Sequence, residues 1–221
     1  MRLAASVDSR PRASLGSGQV DSRVAVLASG AGSNLQALLD DPVVGPRIEL
    51  VVSDNPGAGA LARARSRGVR AVVLDRTHYA TREAFDDALE AVLEDEAIEY
   101  VLLAGFMRIL GPRVVRAFRE RILNVHPSLL PAFPGAHAPR DALEWGAKVS
   151  GATVHLVDEE VDHGPIVLQE AVPVLPGDTK EALHARVQEA EHRLYPAAVR
   201  LLLDGRLKVE SRRVHVLEGE P

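Results

Sequence analysis

Apolar and polar positions follow two rhythms along the first two thirds of the chain. Short apolar runs rich in Val, Ile and Leu recur: "RVAVLA" at 23–28, "RIELVVS" at 47–53, "VRAVVLD" at 69–75, "YVLLA" at 100–104 and "RILNV" at 121–125. Such runs predict strands buried on both faces. Between them lie segments with apolar residues at helical spacing: "LQALLD", the Arg-rich "LARARSRG", "TREAFDDALEAVLEDE" and "PRVVRAF". In the third, Ala84, Phe85, Ala88, Leu89, Val92 and Leu93 fall on one stripe, with Thr81 placed as the N-cap. Pro112 suits the first turn of the fourth. Strands alternating with helices predict an α/β fold, a doubly wound, Rossmann-like and mostly parallel sheet. After residue 149 the rhythm changes. "SGATVHLV" and "PIVLQEAVPV" are separated only by "DEEVDHG", which predicts an antiparallel pair joined by a loop. "TKEALHARVQEAEHRLYPAAVRLLLDG" (179–205) predicts a long helix, kinked or divided at Pro196. Strand-like "RLKVE" and "RVHVLE" close the C-terminal extension, and no internal repeat or second domain is visible.

Composition narrows the classes. The chain has 221 residues, 46% apolar and 26% charged, as in ordinary globular proteins. A formal net charge of −5 and 4% aromatic content argue against nucleic acid as a partner, since neither a phosphate footprint nor base-stacking platforms are in supply. The longest apolar run, "YVLLAGFM", is far short of a membrane span. The absence of cysteine excludes thiol catalysis, disulfides and Cys-ligated zinc, and fits a cytoplasmic protein. No H-E-x-x-H or comparable spacing occurs among the eight His, so no metal is expected. Residues 1–20, rich in Ser, Arg, Gly and Ala without an apolar core segment, read as a disordered tail ahead of a single domain at 21–221.

Three polar punctuations interrupt the pattern. The fifth strand ends on Asn124 and His126, which project to the same side while Val125 faces away, and Pro127 stops the strand. The pair is either a capped, solvated strand end or one wall of a ligand crevice at the carboxyl edge of the sheet. "ASGAGSN" (28–34) links the first strand to the first helix. Its N–H groups fit a phosphate, and the same residues fit a tight turn with N-caps. Leu35 stands where a dinucleotide fingerprint needs its third glycine, and no Lys follows for a P-loop. "DEEVDHGPI" (158–166) puts Asp162 in the loop between the two late strands, where a charge run is ordinarily solvated surface.

Four segments in order, "SGAGSNLQAL", "VLLAGFMRIL", "NVHPSLLPAFPG" and "VDHGPIVLQ", together with "RVQEAEHRLYP", resemble the folate-dependent formyltransferases. The Gly-Ser-Asn loop and "RVQ…EH" narrow the resemblance to the phosphoribosylglycinamide formyltransferases, over roughly residues 23–210. The resemblance implies both a reaction and the residues that serve it. The amino group of glycinamide ribonucleotide attacks the formyl carbon of the co-substrate 10-formyltetrahydrofolate, and an oxyanion develops. Asn124 and protonated His126 donate to the oxyanion, and Asp162 favours the imidazolium and helps move a proton to the leaving nitrogen. By the same resemblance, Gly32, Ser33 and Asn34 hold the substrate phosphate, with Gln188 and Glu191 near the ribonucleotide. Met107, Arg108, Ile109 and Leu110 line the folate pocket, Arg82 lies near the folate, and the loop from Asp158 to Asp162 closes over the pterin. His137 falls in a mobile loop spanning 127–144, although Pro139 stands where one family form has a second His.

Three rivals share parts of this pattern. Methionyl-tRNA formyltransferase carries the same Asn-His-Asp set but would need about a hundred further residues and a basic surface. Formyltetrahydrofolate deformylase would carry an additional N-terminal domain. A non-catalytic Rossmann-type nucleotide-binding module would want an uninterrupted glycine fingerprint. The expected partners are small-molecule substrates alone, with the chain a monomer or homodimer.

Overall fold

The computed structural model describes residues 22–218, and the expected tail at 1–20 lies outside them. Among the described residues nine strands form one sheet: β1 (Val24–Leu27), β2 (Ile48–Ser53), β3 (Arg70–Val73), β4 (Tyr100–Leu103), β5 (Ile122–His126), β6 (Val149–Leu156), β7 (Ile166–Pro173), β8 (Leu207–Glu210) and β9 (Arg213–Val216). Their spatial order is β3-β2-β1-β4-β5-β6-β7-β9-β8. The first five run parallel. β6 and β7 are antiparallel, and the β8–β9 hairpin leans on β7 through the pair Ile166 and Arg213.

Among the described residues six α-helices cover the sheet: α1 (Ser33–Asp40), α2 (Gly59–Ser66), α3 (Arg82–Asp95), α4 (Pro112–Ala117), α5 (Ala138–Trp145) and α6 (Lys180–Leu203). The period-2 alternation of the strands decides which helix meets which face. Val24, Val26, Val51, Leu123 and Val125 pack with apolar side chains of α1, α2 and α6. Ala25, Leu27, Val52, Leu103 and Ile122 pack on the other face with Phe85, Leu89 and Leu93 of α3 and with Val114 and Val115 of α4. Thr81 caps α3, accepting from the Ala84 N–H.

Two expectations are corrected. Pro196 does not divide the C-terminal helix. α6 runs unbroken from Lys180 to Leu203, because Tyr195, Pro196, Ala198, Val199 and Leu202 are all buried there, and this packing outweighs one missing backbone bond. The segment 127–144 is not loop throughout. Residues 138–145 form α5, with Pro139 in its first turn, Asp141 near its positive end and Gly146 left-handed at its C-cap.

The sheet order reverses between β1 and β4, since β1 leads outward to β2 and β3 while β4 leads the other way to β5. Ligands of open α/β sheets bind at such a switch point, beyond the carboxyl ends of the strands. The loops leaving β1 and β4 meet there: Ser29 N–H donates to Gly105 O at 3.1 Å, and Met107 N–H to Ser29 Oγ at 2.9 Å.

Candidate functional site

Beyond the carboxyl end of β5, three distant segments converge on Asp162. Val125 enters the core on the α6 face, so Asn124 and His126 share the opposite side. Asn124 Nδ2 lies 3.5 Å from Asp162 Oδ1, and His126 Nδ1 lies 3.4 Å from Asp162 Oδ2. Asp162 also accepts from Gly135 N–H at 2.7 Å. The carboxylate is 11% exposed and the His126 side chain 6%, so their interaction is little screened by water. Asp162 itself sits at φ 52°, a left-handed conformation uncommon outside glycine.

A fourth member was not read from the sequence. His155 pairs with Asn124 across the β5–β6 ladder, and its Nε2 lies 3.1 Å from Asn124 Nδ2. Its Nδ1 lies 2.9 Å from the Leu156 carbonyl. A carbonyl only accepts, so Nδ1 carries the proton and Nε2 accepts from the Asn124 amide. Burial holds the His155 pKa below the usual histidine range, against smaller opposing effects from the Leu156 carbonyl and Asp162. The imidazole is therefore neutral and fixes the orientation of Asn124.

His126 Nε2 donates to the carbonyl of Phe133 at 2.9 Å, so the segment leaving β5 folds back over the cluster. Each ring nitrogen of His126 has a neighbour, Phe133 O on one side and Asp162 on the other. His137 does not join: it is exposed, sits at the N-cap of α5 and makes no side-chain cap bond.

The five residues expected to hold the ribonucleotide gather at the junction of α1 and α6. Asn34 Nδ2 donates to Glu191 Oε2 at 2.9 Å, and Gln188 Nε2 donates to Ser33 Oγ at 2.7 Å. Asn34 Oδ1 is buried without a partner, and the first N–H groups of α1 have no intrahelical acceptor. Burial lifts Glu191 to about 7 from a starting value of 4.5, with the Asn34 bond pulling weakly the other way. Gly32, at the N-cap of α1, has φ 77°, and a Cβ there would come within 2.8 Å of the Ala60 Cα of α2. A side chain at Gly32 would thus disturb the α1–α2 contact before it touched a ligand.

The β4 loop is more mixed. Met107 and Ile109 are exposed, at 66% and 56%. Leu110 is buried in the core beneath α3 and α4, so its side chain is not a free pocket wall. Arg108 stacks its guanidinium 4.2 Å above the Phe85 ring, and Arg82 donates to the Leu110 carbonyl. Asp158 accepts from His163 at 2.7 Å, at the start of the loop that carries Asp162. Among the described residues no three His, Asp or Glu side chains form a group that could hold a metal ion, and no helix is long and apolar enough to cross a membrane.

Comparison with known proteins places this arrangement in context. Residues 22–199 match the formyl transferase family. The chain is 44% identical over 192 residues to phosphoribosylglycinamide formyltransferase of Escherichia coli (strain K12), covering 85% of this chain and 90% of that protein. It is 49% identical over 190 residues to the trifunctional purine biosynthetic protein adenosine-3 of Gallus gallus, covering 85% of this chain but only 19% of that relative, so it spans about a fifth of the longer protein's length. The crystal structure of glycinamide ribonucleotide transformylase 1 from Symbiobacterium toebii superimposes with a TM-score of 0.87 at 51% identity, covering 90% of this chain and 96% of the other.

Proposed function

The chain belongs to the formyl transferase family, and we propose that it is an enzyme carrying the formyl group of 10-formyltetrahydrofolate to the amino group of glycinamide ribonucleotide in purine synthesis. The observation that carries the reading is the convergence of Asn124, His126 and Asp162, from segments up to 38 residues apart, at the carboxyl end of β5. The folate brings a formyl group already activated on nitrogen. The protein's task is to orient it, to stabilise charge on its oxygen and to move one proton.

In this reading Asn124 keeps one amide N–H on His155. It turns the other, now in the long contact to Asp162, toward the formyl oxygen. His126 donates from Nε2 to the same oxygen once the Phe133 carbonyl has moved aside, while a proton on Nδ1 faces Asp162. The ribonucleotide amine forms the new C–N bond, the bond from the formyl carbon to the folate nitrogen breaks, and one proton passes from amine to leaving nitrogen. Asp162 relays that proton directly or through water. Ser33, Asn34 and the N–H groups at the start of α1 receive the phosphate, and Glu191 and Gln188 face the ribose and amide. Arg108, Met107 and Ile109 border the folate, with Arg82 bracing their loop. A cytoplasmic setting and small-molecule substrates alone belong to the same proposal.

Absorbance-monitored release of tetrahydrofolate tests it. Release is expected only when glycinamide ribonucleotide is present. Equal release without the acceptor would indicate a deformylase instead, and none under either condition would remove the enzymatic reading.

A further inference from the structure

The loop that carries Asp162 is anchored from the far end of the chain. Arg212, in the turn between β8 and β9, directs both arms of its guanidinium at His163. Nη1 lies against the imidazole, 2.7 Å from Nε2 and 3.3 Å from Nδ1, and Nη2 donates to the His163 carbonyl at 2.7 Å. A carboxylate only accepts, so the ring proton that faces Asp158 sits on Nδ1. That proton is donated to Asp158 Oδ2 at 2.7 Å, and Asp158 Oδ1 accepts from the Glu160 backbone at 3.0 Å. A continuous line of contacts thus runs from the C-terminal hairpin through His163 to Asp158, and Asp162 lies between the two tied residues.

Other contacts bear on the same loop, among them the Gly135 N–H on the Asp162 carboxylate. Asp162 is held at φ 52°, and Ser211, beside Arg212, at φ 57°. Gly164 abuts the Leu156 carbonyl so closely that no side chain fits, which fixes the chain just after His163. On the opposite flank Arg116 of α4 grips Glu159 through both carboxylate oxygens, at 2.8 and 3.1 Å. Arg212 is itself placed by its neighbour Arg213, which makes the register pair with Ile166 at the start of β7.

We propose that Arg212 is a positioning residue for the formyl-transfer site: through His163 and Asp158 it holds the 158–163 turn so that the Asp162 carboxylate faces Asn124 and His126. The proposal rests on the reading of Asp162 as a member of that site. The anchor groups lie at the surface, with the His163 and Asp158 side chains 44% and 36% exposed, so their contribution to global stability is small. Their effect falls on how often the loop presents Asp162 correctly, and preorganisation of that kind shows in turnover. It falls on the folate side, because the ribonucleotide residues Ser33, Asn34, Gln188 and Glu191 belong to α1 and α6, elements this anchor does not touch.

Steady-state kinetics of the full chain test this, with Arg212→Met, Arg212→Lys and Asp162→Asn measured beside the parent. Arg212→Met is expected to lower kcat/KM for the formyl donor about tenfold. It should leave KM for the ribonucleotide within about twofold and the melting temperature within about 2 °C. Arg212→Lys, whose ammonium does not reproduce the two-armed fork, should recover part of the loss. Adding His163→Ala to Arg212→Met should cost little more, since both break one line. The anchor is overturned if Arg212→Met keeps full kcat/KM while Asp162→Asn is crippled. It is overturned equally if Arg212→Met lowers the melting temperature and weakens both substrates alike. If Asp162→Asn itself turns over normally, the reading of the site has failed, and the anchor falls with it.

Discussion

Glu191 and His155 are both buried titratable groups, and burial pushes both toward neutrality. For Glu191 the consequence can be measured. Its folded pKa of about 7 lies above the 4.5 of an exposed carboxyl, so between those values the native state holds a proton that the unfolded chain has released. Stability therefore falls as pH rises through this window, by about 3 kcal/mol once Glu191 is fully ionised. Glu191→Gln keeps the shape and an acceptor for Asn34 but cannot ionise. Its melting temperature should fall less than the parent's between pH 5 and pH 8, while its KM for the ribonucleotide rises. Parallel melting curves across that range would refute the assignment. If Asn124 is the oxyanion donor proposed above, Asn124→Ala should lower kcat by about 10²–10³ with a modest change in KM. Asp162→Asn should lower kcat as well. The double variant should lose less than the product of the single losses if the two act on one transition state, so fully multiplicative losses would mean separate roles.

At the scale of elements, α6 does most to assemble the site. Gln188, Glu191 and Tyr195 recur at spacings of three and four, so they share a face. Tyr195 is fully buried, its hydroxyl 3.0 Å from Leu103 O at the last residue of β4 and 2.9 Å from Leu123 O near the start of β5. Arg200 pairs with Asp41 beyond the end of α1. Tyr195→Phe deletes the single O–H proton that the two buried carbonyls share, which should cost about 1–3 kcal/mol in chemical denaturation. An unchanged unfolding midpoint would show that water replaces the hydroxyl. Local pattern carries far at this scale. The five apolar runs are the five parallel strands within a residue or two, and Thr81 is the cap of α3, because strand and helix periods are written in neighbouring residues. α5 escapes such a reading because "PAFPGAHAPR" looks like loop, although Pro139 and Asp141 are first-turn signals. His155 stays hidden for another reason: its role depends on the β5–β6 register, which sets it opposite Asn124. The bond from Asn34 to Glu191, spanning 157 residues, is invisible to any local pattern.

For the whole molecule, the candidate site is a meeting of five segments: 29–34, 105–110, 124–126, 158–163 and 188–191. No one of them is a site alone, and a ligand that bridges them can bind only the folded chain. Such binding stabilises by mass action, by about 2.7 kcal/mol at a hundred times Kd. A protein of this size gains roughly 2–4 °C per kcal/mol, so glycinamide ribonucleotide or a non-reactive folate analogue at that excess should each raise the melting temperature by about 5–10 °C. The two together should raise it further, since the proposed function seats them on neighbouring parts of one site. NAD at the same concentration should do nothing, because Leu35, in the first turn of α1, stands where a dinucleotide fingerprint needs glycine. Asn34→Ala should abolish the ribonucleotide shift and spare the folate shift, which separates the two halves without any turnover. A shift with NAD, or loss of both shifts in Asn34→Ala, would turn the molecule back into a nucleotide-binding module whose resemblance to a formyltransferase ends at its fold.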